Sequence, residues 1–558
     1  MFTDKSISRK LPFLFNVVIA LALLMGSALV ATPARAAGTI TVATSADELN
    51  SNGLCSLREA IINANDDAQT QLDCASGAGE DTIVFAAGIT SITLGSALPD
   101  ITDADGLTIE GGGYVSVSGN NSVQVFHITS AGVLNLLDII VTAGAALEGG
   151  GINNEGGMLT IAESTISGNN ATNSGGGLMN NFGTTTIMNS TFSGNSAVAD
   201  GGAIDNPQGT LTITNSTFAN NTALYGGGLM NNSGTATFTN STFSGNTATN
   251  NGGAIGTWNG GALPPVTTLR NTILANSAAG EDCWNGGGGT LGGGNNLIEV
   301  TSSCTSIATI TSDANLGALT GRPAYFPLNS GSPAINAGDD AVCAAAPVNS
   351  TSENGVPRPQ GAHCDIGSYE RPFFASFRSS GAQDGWVLES SENSNAGGTM
   401  NATASTFNLG DDAANKQYRA ILNFNTTSLP ETAVIIQATL KIKEQGLVGT
   451  NPFTTHGALR VFIRKPSFGS LALQITDFQA APGSPLAGSF GATPASGWYS
   501  ALFNGAGSIG INRIGTTQFR LRFTLDDNND YGADYMKFFS GNAPAASQPM
   551  LVIEYYVP

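Results

Sequence analysis

Residues 189–204 read NSTFSGNSAVADGGAI, and two pieces of this stretch recur along the chain. The Gly-Gly-(Gly/Ala)-(Ile/Leu) motif puts Ile152, Leu178, Ile204, Leu229 and Ile255 in line, at steps of 26, 26, 25 and 26. A β-branched or aromatic strand ending in asparagine recurs at Ile166, Phe192, Phe218, Phe243 and Ile273. Between these two lies a third strand carrying Ile161, Ile187, Ile213 and Phe238. Three short strands per repeat, with glycine or asparagine at each corner, is what one coil of a β-solenoid needs. Each strand alternates inward and outward residues, so a single coil cannot bury its apolar side chains. Stacking coils at about 4.8 Å pairs every backbone group above and below and packs like residues on like. Asn169, Asn195, Asn221, Asn246 and Asn276 each follow the inward residue by three places, which predicts a structural ladder of amides up one corner.

Working outward, the step from Phe243 to Ile273 is 30, so residues 258–265 are expected to bulge as a loop. Upstream segments such as 82–85, 89–94, 107–109 and 134–141 are expected to be early coils without the glycine signature. Solenoid ends need caps, and Leu54–Asn65 has the helical spacing of an N-terminal one. Further upstream, Lys5, Arg9 and Lys10 precede the apolar run 11–30, and Ala34-Arg35-Ala36 has the small-x-small pattern of a cleavage site. Residues 1–36 are therefore expected to be a signal peptide, with Ala37 the first mature residue and no transmembrane segment after it. The expected localisation is secreted, extracellular or cell surface.

The six cysteines form three sequence-local pairs, Cys55 and Cys74, Cys283 and Cys304, Cys343 and Cys364. Sequence leaves fifteen connectivities open. Local pairing would close loops of about twenty residues, each worth about 3 kcal/mol by loop entropy. A net charge of −20 argues against nucleic acid and anionic membranes as partners.

The motif Cys55-Ser-Leu-Arg-Glu-Ala-Ile61 resembles the opening of the CSLREA family of secreted bacterial right-handed β-helix proteins. Gly201-Gly-Ala-Ile204 and Phe192-Ser-Gly-Asn195 resemble the repeats of polymorphic outer-membrane-protein adhesins. Gly331–Gly338, Arg358-Pro-Gln-Gly and Cys364–Glu370 resemble the closing segment of the choice-of-anchor Q proteins. The resemblance spans about residues 38–370 and implies an extracellular, adhesin-like rod. Lysine is absent from residue 11 to 415 and then returns, and alternating strands follow at 418–424, 438–443, 459–464, 518–523 and 550–556. Alternation of this kind predicts an antiparallel β-sandwich. The arginine-bearing strand running to Phe424, Ser428-Leu-Pro430 and Pro549–Tyr555 resemble the DNRLRE-type modules, related to carbohydrate-binding modules.

The expected organisation is an all-β chain: a right-handed parallel β-helix followed by an antiparallel β-sandwich. The N-terminal cap spans 37–80, the β-helix 81–310, the closing segment and linker 311–372, and the sandwich 373–558. A search for chemistry yields little. From Gly149 to Ser277 the acids are Glu155, Glu163, Asp200 and Asp205 and the base is Arg270, with Asp200 and Asp205 flanking one glycine corner. Asp100, Asp103 and Asp105 fall in a turn. In the sandwich, Asp526, Asn528, Asp530 and Asp534 alternate like the start of a calcium loop, without its glycine at the sixth place and its glutamate at the twelfth. Trp386 and Trp498 are the candidate sugar-stacking residues. The expected function is a non-catalytic secreted or cell-surface binder of a polysaccharide or cell-envelope glycan. The alternative is a β-helix polysaccharide lyase or glycoside hydrolase.

Overall fold

The computed structural model describes residues 38–558 apart from 114, 262, 302, 484 and 485; residues 1–36, expected to be a signal peptide, and Ala37 lie outside the described residues. Nearly everything is β. Up to Ile310 the chain winds as a parallel β-helix, and the inward rows stack in register. Ile152, Leu178, Ile204, Leu229 and Ile255 pair in succession. So do Ile161, Ile187, Ile213 and Phe238, and Ile166, Phe192, Phe218 and Phe243.

One coil shows the plan. Ile152–Glu155 lies on what we term the third face, Met158–Ala162 on the first and Thr165–Ser167 on the second. Asn170–Ser174 then forms a fourth strand before Leu178–Asn181 re-enters the third face one coil up. The first and second faces have ten strands each, the third seven and the fourth five. The fourth strand goes beyond the three expected per repeat. Its inward residues are alanines, with Ala171, Ala197 and Ala223 forming their own small cluster, so no apolar signature marks it.

Register also departs from expectation at the last bulge. Leu274, not Ile273, pairs with Phe243. Ile and Leu are adjacent there and alternation alone could not choose between them. Leu274 enters the solenoid core, while Ile273 faces outward and is buried beneath Ile366 and Tyr369 of the closing segment.

The N-terminal cap explains its motif residue by residue. Cys55 is disulfide-bonded to Cys74. Ser56 and Glu59 form a reciprocal capping box that starts the helix at Leu57, so it spans Leu57–Asp66 rather than beginning at Leu54. Leu57, Ala60 and Ile61 are buried against the first coil. Arg58 pairs with Asp47 and donates to the carbonyls of Ser96 and Ala97, tying the cap to the next loop. The other cysteines pair locally too, Cys283 with Cys304 and Cys343 with Cys364.

After Ile310 the chain folds back along the second face. Thr191 Oγ1 donates to the Ala324 carbonyl, Thr217 Oγ1 to Glu353, and the Ser368 amide to Thr242 Oγ1. This outward threonine row is thereby buried. Burial is the main cause that pushes the Glu353 carboxyl up to about 8.

Residues 373–558 form an antiparallel β-sandwich whose sheets join at their edges. The long strand Val434–Val448 pairs with Trp498–Phe503 on one side and Tyr535–Phe539 on the other, which closes a barrel-like ring. Phe407, Phe424, Phe519 and Phe538 fill it. Arg419 and Arg520 serve structure here: both donate to the Phe478 carbonyl, and Arg520 also to those of Asp477 and Ala480, pinning that turn over the sheet.

Asp384 gives this module a pH dependence. Its carboxylate accepts the amides of Asn423 (2.7 Å) and Gly541 (3.1 Å), yet burial raises it from 3.8 to about 7. Below the ordinary value the folded and unfolded chains both hold the proton. From there to about 7 only the folded chain holds it, so its contribution is full in acid and is lost as pH rises. Denaturant unfolding should show the sandwich losing stability between about pH 4 and pH 7, with Asp384→Asn flattening the slope. An unchanged slope in the variant would remove Asp384 as its source.

Candidate binding groove

Alternation on the third face sends Ile152, Leu178 and their equivalents inward and leaves one outward row. In coil order it runs His127, Asn153, Met179, Asp205, Met230, Gly256, Trp284. The break in this row is instructive. A Cβ at Gly256 would lie 2.8 Å from the Met230 sulfur, and one at Gly286 would lie 2.4 Å from the Trp284 ring. Two glycines thus make room for a sulfur and an indole that share the upper end of the face.

There the Trp284 ring stacks on Trp258 with centroids 5.7 Å apart and planes 9° apart, and on Tyr225 at 6.0 Å and 30°. Tyr225 ends the fourth-face strand Thr222–Tyr225, while Trp258 ends the third-face strand Ile255–Trp258. The loop expected at 258–265 therefore starts after Trp258. These three rings, with Met230 as floor and Asp200, Asn232 and Asn251 as polar rim, line a cavity of about 510 Å³.

Below the rings the groove is acidic. Asp205 is only 4 % exposed and its Oδ1 has no hydrogen-bond partner. Burial, reinforced by repulsion from Asp200 and Glu148, holds its carboxyl well above the usual carboxylate range. Asp200 is raised by burial as well. Glu148 accepts the Asn173 amide at 3.1 Å. At the lower end His127 Nδ1 meets Asp100 at 2.9 Å and its Nε2 lies 3.5 Å from Glu155, whose carboxylate also accepts the Asn153 amide.

The asparagine ladder runs from Asn169 through Asn195 and Asn221 to Asn246, at 3.0, 3.0 and 2.9 Å. Asn276 stands outside it, with its amide donating to Ser244 Oγ, because of the register at Leu274. A second ladder links Asn154, Asn180, Asn206 and Asn231 inside the third face. Its steps of 26, 26 and 25 were visible in the sequence.

In the sandwich, Trp386 sits edge-on to Tyr418 at 5.2 Å, and Trp498 lies beneath Lys443 at 5.9 Å. Their strands, Gly385–Glu389 and Trp498–Phe503, are not neighbours. The loop at 526–534 closes on itself. Asn528 Nδ2 donates to both Asp530 (2.9 Å) and Asp534 (2.8 Å), so an amide stands between the two carboxylates. Among the described residues no group of three or more His, Cys, Asp or Glu is placed to hold a metal ion, and no helix is long and apolar enough to cross a membrane. The aromatic trio was missed because Tyr225 and Trp258 stand at strand ends and Trp284 follows a glycine in its row, so no single row announces the three rings. The one signal for it was Gly256 in place of a large outward residue.

No protein-family model matches this chain, and no curated protein matches it. Among solved structures, one similar chain is the enzymatically active domain of bacteriophage CBA120 tailspike protein 4. It is 8 % identical with a TM-score of 0.16; the match covers 86 % of this chain and 64 % of that one, less than two thirds of its length.

Proposed function

We propose that this chain is a non-catalytic secreted or cell-surface protein that binds a glycan in the third-face groove. The observation that carries this is the cavity of Tyr225, Trp258 and Trp284, rimmed by Asp200, Asn232 and Asn251. Aromatic faces take the apolar side of a pyranose, and amide and carboxylate groups at the rim take its hydroxyls. The CSLREA-type opening and the closing segment 331–370 support an extracellular, adhesin-like setting, as do three disulfides. The DNRLRE-like sandwich, with Trp386 and Trp498, is the second glycan contact in this reading, and the 526–534 loop its calcium site. A cation there requires Asn528 to turn its amide so that Oδ1 faces Asp530 and Asp534.

A second reading, glycoside hydrolysis, is favoured by one observation: burial and the neighbouring Asp200 hold the Asp205 carboxyl well above the usual carboxylate range, as a general acid beside a base requires.

The test is retention of the full chain on a panel of polysaccharides, with and without EDTA, alongside an assay for new reducing ends. Trp258 is 41 % exposed, so Trp258→Ala should fold. It is expected to weaken retention by roughly tenfold. Retention indifferent to Trp258→Ala would move binding away from this groove. New reducing ends, lost in Asp205→Asn, would replace the binder by the hydrolase.

A further inference from the structure

From Arg58 to Arg270 the sequence contains neither lysine nor arginine. All coils that build the groove lie in that interval, apart from the strand Cys283–Asn285. Of its charged groups, Asp200 lines the ring cavity one coil below Tyr225, Asp205 lies one coil below Met230, and Glu148 stands two coils below Asp200, with Asp100, Glu155 and His127 at the lower end. A uronate, sulfate or phosphate entering here would meet like charge and no permanent cation.

Asp205 adds a second, independent observation. It stands one coil below Met230, the floor of the cavity, nine-tenths buried, with Oδ1 unpartnered. A buried acceptor without a donor costs stability unless something donates to it. Protein side chains supply no donor. Asp200, one glycine corner away, lines the cavity beside the rings. An ammonium group suits this cavity: it donates to Asp200, it is attracted to the faces of Trp and Tyr, and its charge offsets the field of Asp205 below.

Resting on the glycan-binding reading above, we propose that the groove selects a polysaccharide carrying free amino groups, with a hexosamine ammonium held between the aromatic trio and Asp200. The ammonium offsets the negative field that Asp200 and Glu148 impose on Asp205, which a hydroxyl or an acetamido group cannot do.

The experiment is calorimetric titration of the full chain at pH 6 with three soluble oligosaccharides of equal length: β-1,4-linked glucosamine, its N-acetylated counterpart, and galacturonate. The amine form is expected to bind roughly tenfold or more tightly than the N-acetylated one, with the preference shrinking in added salt. Galacturonate should give no heat of binding. Asp200→Asn should bring the ratio of amine to N-acetyl affinity toward one, and Glu148→Gln should lower it by less. N-acetylated sugar bound as tightly as the amine form, or a preference that survives both variants, would overturn the inference. If Trp258→Ala still abolished that binding, the glycan-binding reading would stand. If none of the three sugars bound, both would fall.

Discussion

Replacing Phe218 by alanine is expected to cost the solenoid about 3–5 kcal/mol. The ring is fully buried and lies between Phe192 at 5.2 Å and Phe243 at 4.3 Å, with planes tilted by 14° and 6°. Truncation removes the transfer free energy of a phenyl group and leaves a void that neighbouring coils, locked by their ladders, cannot fill. Two stacked contacts, each worth about 0.5–1.5 kcal/mol, disappear together and place the cost toward the upper end of that range. Because each coil touches only its neighbours, the damage falls on the coupling between lower and upper coils. Denaturant unfolding should shift to lower midpoint and split into two transitions, and Phe218→Leu should recover much of the loss. A cost below about 1 kcal/mol would show that this aromatic row is not what couples the coils.

The second large effect is expected at Arg358. Its guanidinium is wholly buried, and its Nε donates to the Thr351 carbonyl at 2.9 Å. Its Nη groups reach the carbonyls of Asp365 and Gly367 at 2.8 and 2.7 Å, and the Glu370 carboxylate at 3.2 Å. Glu370 in turn accepts the amides of Gln360 and Asp365. Arg358→Met leaves three carbonyls and one buried carboxylate without their donor, and is expected to cost about 3–5 kcal/mol. Burial already pushes Glu370 up to about 7, and Arg358 is the cation that opposes it. The variant should therefore be more stable in acid than at neutral pH, where Glu370 would have to ionise alone. Hydrogen exchange over 350–370, together with thermal unfolding, reads the result. Arg358→Met with Glu370→Met should lose less than the single variant; an equal or greater loss would rule out the unpaired charge as the cause.

The inward rows were legible because stacked coils demand the same residue type at the same place, and Ile161, Ile187 and Ile213 announce that at a fixed period. The fourth face was not: Ala171, Ala197, Ala223 and Ala248 recur at steps of 26, 26 and 25, but alanine is common in turns and too small to mark a strand as buried. The cover over Thr191, Thr217 and Thr242 was invisible for a different reason. It joins residues more than a hundred apart, as in the bond from Thr217 to Glu353, and threonine looks the same whether solvated or covered. The site divides in the same way. Asp200 and Asp205 stood out as isolated acids, but their burial depends on the fourth-face corner folding beside them. Tyr225, Trp258 and Trp284 come from different coils, and only winding brings their rings together. In the sandwich the arginines resembled a family signature, and the structure gives Arg419 and Arg520 a physical task in holding the 475–480 turn.

The long interval without lysine or arginine also bears on resistance to proteolysis. A protease that cuts after basic residues finds no bond it can recognise between Arg58 and Arg270, whether the coils are wound or frayed. Folding protects most proteins by hiding their cleavage sites; along these coils there are none of that kind to hide.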